Sequence, residues 1–117
     1  MRRQILRAIL TIAMVISFEA ANAESQDADL ACFIALISVY NSDNAQLSDS
    51  ALAGGMYYLG KLEGTMGFSA ASAKIMEEAP KFDQAKLGPT LVRCGGELKV
   101  LGDAMQAMAQ QMLTDGK

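Results

Sequence analysis

The strongest pattern along this chain is an apolar stripe in its last third. Between residues 91 and 112 the apolar positions alternate in steps of three and four, which places them on one face of a helix. Pro89 suits the first position of such a helix, and we predict that the helix runs to about Leu113. The stripe consists of Leu91, Cys94, Leu98, Leu101, Met105, Met108 and Met112.

Three further helices, and no strand, are predicted upstream of this stripe. The nearly continuous apolar segment Leu30 to Asn41 predicts a helix sandwiched between neighbours. A second helix is predicted from about Asp49, capped by Ser48, to about Met66. A short third helix is predicted from Ser69 to Pro80, where the proline ends it. The predicted fold class is therefore all-α, a small four-helix domain in which the short third helix crosses between helices two and four.

The second helix carries an apolar arc and, beside it, a row of mostly small residues. The arc comprises Leu52, Met56, Leu59, Leu62 and Met66, and the row comprises Ala53, Tyr57, Gly60, Gly64 and Gly67. Each glycine costs a helix roughly 1 kcal/mol relative to alanine, so close packing must return that loss. A similar row, Gly95, Gly102 and Ala109, flanks the stripe of the last helix. We therefore predict that Gly60 and Gly64 pack closely against Gly95 or Gly102.

The first 23 residues have the three parts of a secretory signal. Basic residues precede an uncharged apolar run from Ala8 to Phe18, and Ala21-Asn22-Ala23 matches the small-x-small cleavage motif. The rival interpretation is a membrane anchor, but a run of 11 residues falls far short of the roughly 20 that span a bilayer. We therefore predict a signal peptide at 1–23, a single helical domain at 24–117 and a periplasmic location.

Charge and composition exclude several classes of function. Of the 10 basic and 13 acidic residues, three Arg and Glu19 fall in the signal, so the mature chain has 7 and 12 and a net charge of −5. Nucleic acid is therefore not an expected partner, and neither is a stable membrane association after cleavage. The chain has no histidine, and two cysteines cannot build a four-ligand zinc site. No metal and no cofactor is predicted.

The only two cysteines, Cys32 and Cys94, are expected to form a disulfide, because export takes them to an oxidising compartment. A redox dithiol would normally use a tight Cys-x-x-Cys spacing, which this chain lacks. In the chain-entropy model, closing a loop of this length adds on the order of 4 kcal/mol to the free energy of unfolding. The sequence therefore predicts one inter-helix disulfide.

The candidate binding residues lie in the second helix: Tyr57, Tyr58, Lys61 and Glu63. Adjacent aromatic residues on a helix point about 100° apart, so one of the two tyrosines is expected to line a groove or an edge. Glu63 falls within the predicted apolar arc; either it is exposed or paired with a basic residue, or it is a ligand-facing acid in a cleft. No catalytic residue is predicted, because no nucleophile and base stand at a diagnostic spacing.

The order of helices and cysteines along this chain resembles that of two families of small exported helical proteins. The stretch Gly55-Met56-Tyr57-Tyr58-Leu59-Gly60, followed by a short helix, Pro80 and a late cysteine, is similar to periplasmic immunity proteins that neutralise peptidoglycan amidase effectors. The signal, the acidic mature chain and one early and one late cysteine resemble acid-stress chaperones of the HdeA type. The chain also looks like other small secreted two-cysteine helical proteins of Gram-negative bacteria.

These resemblances, with the missing catalytic pattern, favour a non-enzymatic module that binds another periplasmic protein, in the manner of an immunity protein or an inhibitor. An acid-stress periplasmic chaperone is the first alternative, and a small enzyme that uses carboxylates is the second. The oligomeric state stays open.

Overall fold

The computed structural model describes residues 24–116. Within that range the chain forms four α-helices and no strand, which confirms the all-α, four-helix prediction. The helices are α1 at 24–38, α2 at Ala45–Met66, α3 at Phe68–Glu78 and α4 at Leu87–Asp115, with 3₁₀ turns at Ala79–Lys81 and Gln84–Lys86 between the last two. The predicted signal peptide and its cleavage site lie outside the described residues.

The predicted bounds of the first helix, Leu30 to Asn41, are wrong at both ends, because α1 already includes residues 24–29 and ends at residue 38.

The predicted starts of α2 and α4 are also wrong. Helix α2 begins four residues before Asp49, where the Asn44 side chain accepts a hydrogen bond of 3.1 Å from the Leu47 N–H. The Ser48 hydroxyl, predicted as the cap, instead donates to the backbone carbonyl of Tyr40. Helix α4 begins at Leu87, so Pro89 lies within the first turn, where an N–H would have no helical partner in any case.

A single glycine separates α2 from α3. Gly67 has φ +83°, a left-handed conformation that side-chain-bearing residues rarely adopt. Its N–H still donates to the Glu63 carbonyl at 2.8 Å, which closes the last turn of α2. The chain therefore turns sharply at Gly67, and α3 connects α2 to the segment that leads into α4.

Helix α1 lies at the centre of the fold, as its continuous apolar character predicts. Its buried residues contribute to two core clusters. The first contains Cys32, Leu36, Ala51, Tyr58 and Cys94, and the second contains Leu30, Ile34, Leu62 and Ala71. The first cluster joins α1, α2 and α4, whereas the second joins α1, α2 and α3. Helix α3 therefore packs on α1 and α2 through Ala71.

The predicted disulfide is confirmed, and it joins α1 to α4. The Cα atoms of Cys32 and Cys94 are 5.7 Å apart, and both residues are completely buried. Cys94 is also the one buried residue of α4. The bridge is therefore the main covalent and packing attachment of the last helix to the rest of the described domain.

The second half of the α4 stripe is not part of the core. Every residue from 102 to 116 is exposed, including Met105 at 58%, Met108 at 55% and Met112 at 74%. Helix α4 has 29 residues and α2 has 22, which correspond to lengths of about 43 Å and about 33 Å. No other helix of residues 24–116 covers the end of α4, so its periodic apolar face extends into solvent.

The predicted contact between the two rows of small residues is wrong. A methyl group added at Gly60, Gly64, Gly95 or Gly102 would meet no atom within 4 Å. The close approach lies instead at Gly54, where a Cβ would stand 2.7 Å from Leu98 Cδ1 and 3.1 Å from Leu36 Cδ1. The buried side of α2 runs through Ala51, Gly54, Gly55, Tyr58 and Leu62, and Gly60 and Gly64 lie off that side.

The close contacts at Gly54 and the open space at Gly60 predict different effects of substituting these two glycines of α2. Gly54→Leu is expected to lower the free energy of unfolding by roughly 1 to 3 kcal/mol, because the new side chain overpacks against Leu36 and Leu98. Gly60→Leu is the matched control; it is expected to be neutral or to stabilise by up to about 1 kcal/mol, because it relieves the helix cost of glycine in open space. Urea unfolding of both variants measures this, and equal midpoints would contradict the assignment of Gly54 to the helix contact.

Candidate binding groove

Helices α2 and α4 meet around Tyr58 and then separate. Tyr58 lies opposite Cys94 and Glu97, and Gly54, one turn earlier in α2, lies opposite Leu98. The two helices therefore pass one another in opposite directions. Toward the start of α2 they enclose a groove of about 740 Å³, which is also lined by Leu36 of α1 and by Val39, the residue that follows α1.

The lining of this groove is almost entirely apolar or small. Leu47, Ala53 and Tyr57 line it from α2, and Leu98 and Met105 line it from α4. Lys99 is the one charged residue of the lining, and its ammonium is 2.7 Å from the Asp103 carboxylate. The groove is therefore suited to an apolar occupant rather than to a charged small molecule.

Small residues create this groove. Ala53 on α2 and Gly95 and Gly102 on α4 line it, and none has a side chain long enough to fill the space between the helices. Gly95 and Gly102, which were predicted to pack closely against α2, thus line an open space instead. Gly60 and Gly64 do not line it.

Behind the groove, a polar cluster connects the three longest helices. The Tyr58 hydroxyl donates to Glu97 Oε2 at 2.7 Å, and it also lies 3.4 Å from the Cys94 carbonyl. Burial and the hydrogen bond to the Glu97 carboxylate raise the pKa of Tyr58 well above its ordinary value. Arg93 is 3.7 Å from the other Glu97 oxygen and donates to the Ala28 carbonyl of α1 at 3.2 Å.

Lys61 completes this cluster on the side of α1. Its ammonium donates to Asp29 Oδ1 at 2.9 Å, and the hydrogen bond to that carboxylate raises the pKa of Lys61. The same ammonium lies 5.6 Å from the ring centroid of Tyr57 and 5.8 Å from that of Tyr58, within cation–π range. Asp29 is the buried charged residue of the described core, and Lys61 supplies the partner that its burial requires.

The structure brings three of the four candidate binding residues together and separates the fourth. The rings of Tyr57 and Tyr58 meet edge to face with centroids 5.0 Å apart, beneath Lys61. Tyr58 is fully buried, so only Tyr57 of the pair lines the groove, as the helical geometry predicts for one of them.

Glu63 is exposed and does not line the groove, so the hypothesis of a ligand-facing acid in a cleft is wrong. The predicted apolar arc around it is wrong at its first two members, since Leu52 and Met56 are exposed. The buried side of α2 is rotated toward Ala51 and Tyr58, and Glu63 consequently faces solvent.

The sequence reasoning missed Leu47, Ala53 and Leu98 as site residues. The sequence feature that could have indicated a groove is the row of small residues on each of the two longest helices, α2 and α4. Small residues on facing helices permit either close contact or an open space, and the helix positions decide between these outcomes.

Comparison of the chain with protein-family models, with curated proteins and with solved structures finds no match. In the part of the chain that the structure describes, no three His, Cys, Asp or Glu side chains stand close enough together to hold a metal ion. None of the helices within residues 24–116 combines the length and the apolar character needed to cross a membrane.

Proposed function

We propose that the protein is exported to the periplasm and binds another protein there without catalysing a reaction, through the groove between α2 and α4. The observation that carries this proposal is the groove itself, about 740 Å³ in volume and lined by apolar and small residues. That volume lies in the range of natural binding pockets, which are mostly apolar with a few polar groups.

The occupant that fits best is an apolar face of a helix from the partner. A groove between two helices accepts side chains spaced at i, i+3 or i+4, and i+7, because these project from one side of the partner helix. Gly95 and Gly102 keep the α4 wall low, so the partner backbone can approach closely. Tyr57 offers a hydroxyl and an aromatic face, and such residues anchor many protein interfaces.

An enzymatic function has less support from this geometry. Two carboxylates of α4, Glu97 and Asp103, are engaged with Tyr58 and Lys99 respectively, and none of the carboxylates in residues 24–116 lines the groove. An inhibitor-like or immunity-like module requires only a shaped apolar surface, and the groove supplies one.

The proposal predicts that filling the groove abolishes binding of an apolar helix. The probe is a fluorescently labelled amphipathic model peptide with leucines at i, i+3, i+4 and i+7, titrated against the mature protein and followed by fluorescence anisotropy. Ala53→Trp is expected to weaken binding at least about tenfold, a change of about 1.4 kcal/mol, because the indole occupies the space between α2 and α4.

Ala73→Trp is the matched control, since Ala73 is an exposed alanine of α3 that does not line the groove. It is expected to bind the peptide as the unmodified protein does. Equal affinities for the two tryptophan variants would overturn the groove as the binding site.

A further inference from the structure

The most readily oxidised side chains of the described domain are its methionines. The chain has no tryptophan, and both of its cysteines are held in the buried disulfide, so residues 24–116 contain no free thiol. A mild oxidant such as a peroxide therefore attacks the thioether of methionine, which becomes a sulfoxide. Within residues 24–116, the methionines that are more than half exposed, and so open to such an oxidant in the folded protein, are Met56, Met76, Met105, Met108 and Met112.

Met105 is the one methionine of residues 24–116 that lines the groove between α2 and α4. Its side chain is 58% exposed. Met108, in the next turn of α4, is 55% exposed and does not line the groove. The two residues therefore offer similar access to an oxidant and differ in their relation to the groove.

Met105 stands at one end of the groove, together with Leu47. Helices α2 and α4 pass one another in opposite directions, and Gly54 lies opposite Leu98. Leu47 comes seven residues before Gly54 in α2. Met105 comes seven residues after Leu98 in α4, so both lie about 10 Å along their helices from that contact and in the same direction. An apolar helix that fills the groove to this end therefore lies against Met105.

The groove around Met105 offers little to a polar atom. Leu101 and Gly102, one turn earlier in α4, line the groove beside it and have no polar side chain. Lys99, the one charged residue of the lining, is engaged with Asp103. An oxygen on the Met105 sulfur would lose its water when an apolar helix covers it, and it would gain no hydrogen bond from these neighbours.

We propose that Met105 is an oxidation site that controls the groove, because its sulfoxide weakens binding of the apolar partner helix. The oxidant is a peroxide: the Met105 sulfur attacks one peroxide oxygen, the O–O bond breaks and an S–O bond forms. The sulfur is oxidised by two electrons and hydrogen peroxide is reduced by two, and its second oxygen leaves with both protons as one water molecule. This inference rests on the proposed function, since it concerns the regulation of the same groove.

Binding of the amphipathic model peptide by the mature, disulfide-bonded protein tests this inference. Fluorescence anisotropy measures the affinity before treatment with hydrogen peroxide and after its removal, and peptide mass spectrometry measures the sulfoxide at each methionine. The treated protein is expected to contain Met105 sulfoxide and to bind at least about fivefold more weakly. Its melting temperature is expected to stay unchanged, because no methionine is among the buried residues of the described core.

Three variants assign the effect to one sulfur. Met105→Leu keeps an apolar side chain without a sulfur, so its affinity is expected to be the same before and after peroxide. Met108→Leu is the matched control, and peroxide is expected to weaken its binding as it does in the unmodified protein. Met105→Gln has a polar side chain without oxidation, and it is expected to bind at least about fivefold more weakly than Met105→Leu in the absence of peroxide.

The outcomes separate this inference from the proposed function. Full affinity of a protein that contains Met105 sulfoxide, peroxide treatment that oxidises Met108 and spares Met105, or equal losses in Met105→Leu and Met108→Leu would overturn the inference alone. A lack of peptide binding by the untreated, unmodified protein would instead overturn the proposed function, and this inference with it.

Discussion

Removing the Cys32–Cys94 disulfide is expected to lower the free energy of unfolding by about 4 kcal/mol. The bridge spans 62 positions of the sequence, so its loss releases a long loop in the unfolded chain. For a domain of this size a loss of about 1 kcal/mol lowers the melting temperature by roughly 4 to 8 °C. Urea and thermal unfolding with and without reductant measure the effect.

The structure also predicts where the reduced protein opens first. Cys94 is the one buried residue of α4, so this helix has few apolar contacts to hold it once the covalent link is cut. Regions with few buried contacts exchange their amide hydrogens at low free-energy cost. Amides of α4 are therefore expected to lose protection on reduction before those of α1 and α2.

The double substitution Cys32→Ala and Cys94→Ala serves as the control. It is expected to reproduce the loss of stability and to be insensitive to reductant. An unchanged urea midpoint in reduced protein, or uniform loss of protection across all helices, would contradict this account of the bridge.

The presence and the order of the helices could be predicted because their periodicity and their breaks are encoded locally. Pro80 cannot continue a helix, and the steps of three and four along α4 require a period near 3.6. The start of α2 was placed wrongly because Asn44 and Ser48 are both good capping residues, and only the chain path decides between them. In the structure the Ser48 hydroxyl is engaged by Tyr40, which leaves Asn44 as the cap.

Burial could be predicted less well, because it depends on what lies opposite each residue. Leu98 and Met105 occupy equivalent positions of the α4 stripe, yet Leu98 is half-buried and Met105 is exposed. The difference is the extent of the packing partners, since no helix of residues 24–116 covers the end of α4. A periodic pattern indicates which face of a helix is apolar, but it contains no information on the length of the partner.

The candidate site could be predicted only in part, because its burial also depends on residues that are distant in the sequence. Helical geometry established that Tyr57 and Tyr58 must point in different directions, but it could not establish which one is buried. Glu63 was placed near the core because the apolar arc of α2 was drawn through Leu52 and Met56, which are exposed. Long-range pairing, such as Tyr58 with Glu97 or Lys61 with Asp29, has no signature in the local sequence.

Tyr58→Ala is expected to lower the free energy of unfolding by about 3 to 5 kcal/mol, because it removes the largest fully buried side chain of the described core. The substitution also deprives Glu97 of its hydrogen-bond donor and removes one of the two rings beneath Lys61. Urea unfolding measures the loss, and Tyr57→Ala at the groove edge is the control, with a smaller expected effect. Equal losses for the two alanine variants would show that the Tyr58 ring is not the anchor of the core.

Tyr58→Phe isolates the contribution of the hydroxyl and predicts a dependence on alkaline pH. The expected loss at neutral pH is about 1 kcal/mol, since half-exposed Glu97 regains water when its donor is removed. Burial and Glu97 hold the pKa of Tyr58 above its ordinary value of 10.0, so above that pH the unfolded chain loses the phenolic proton while the folded chain keeps it. The contribution of Tyr58 is therefore fully present below pH 10 and falls as pH rises further. The stability difference between the unmodified protein and Tyr58→Phe should accordingly shrink, or change sign, above pH 10, and a difference that stays constant with pH would exclude a buried, hydrogen-bonded phenol at this position.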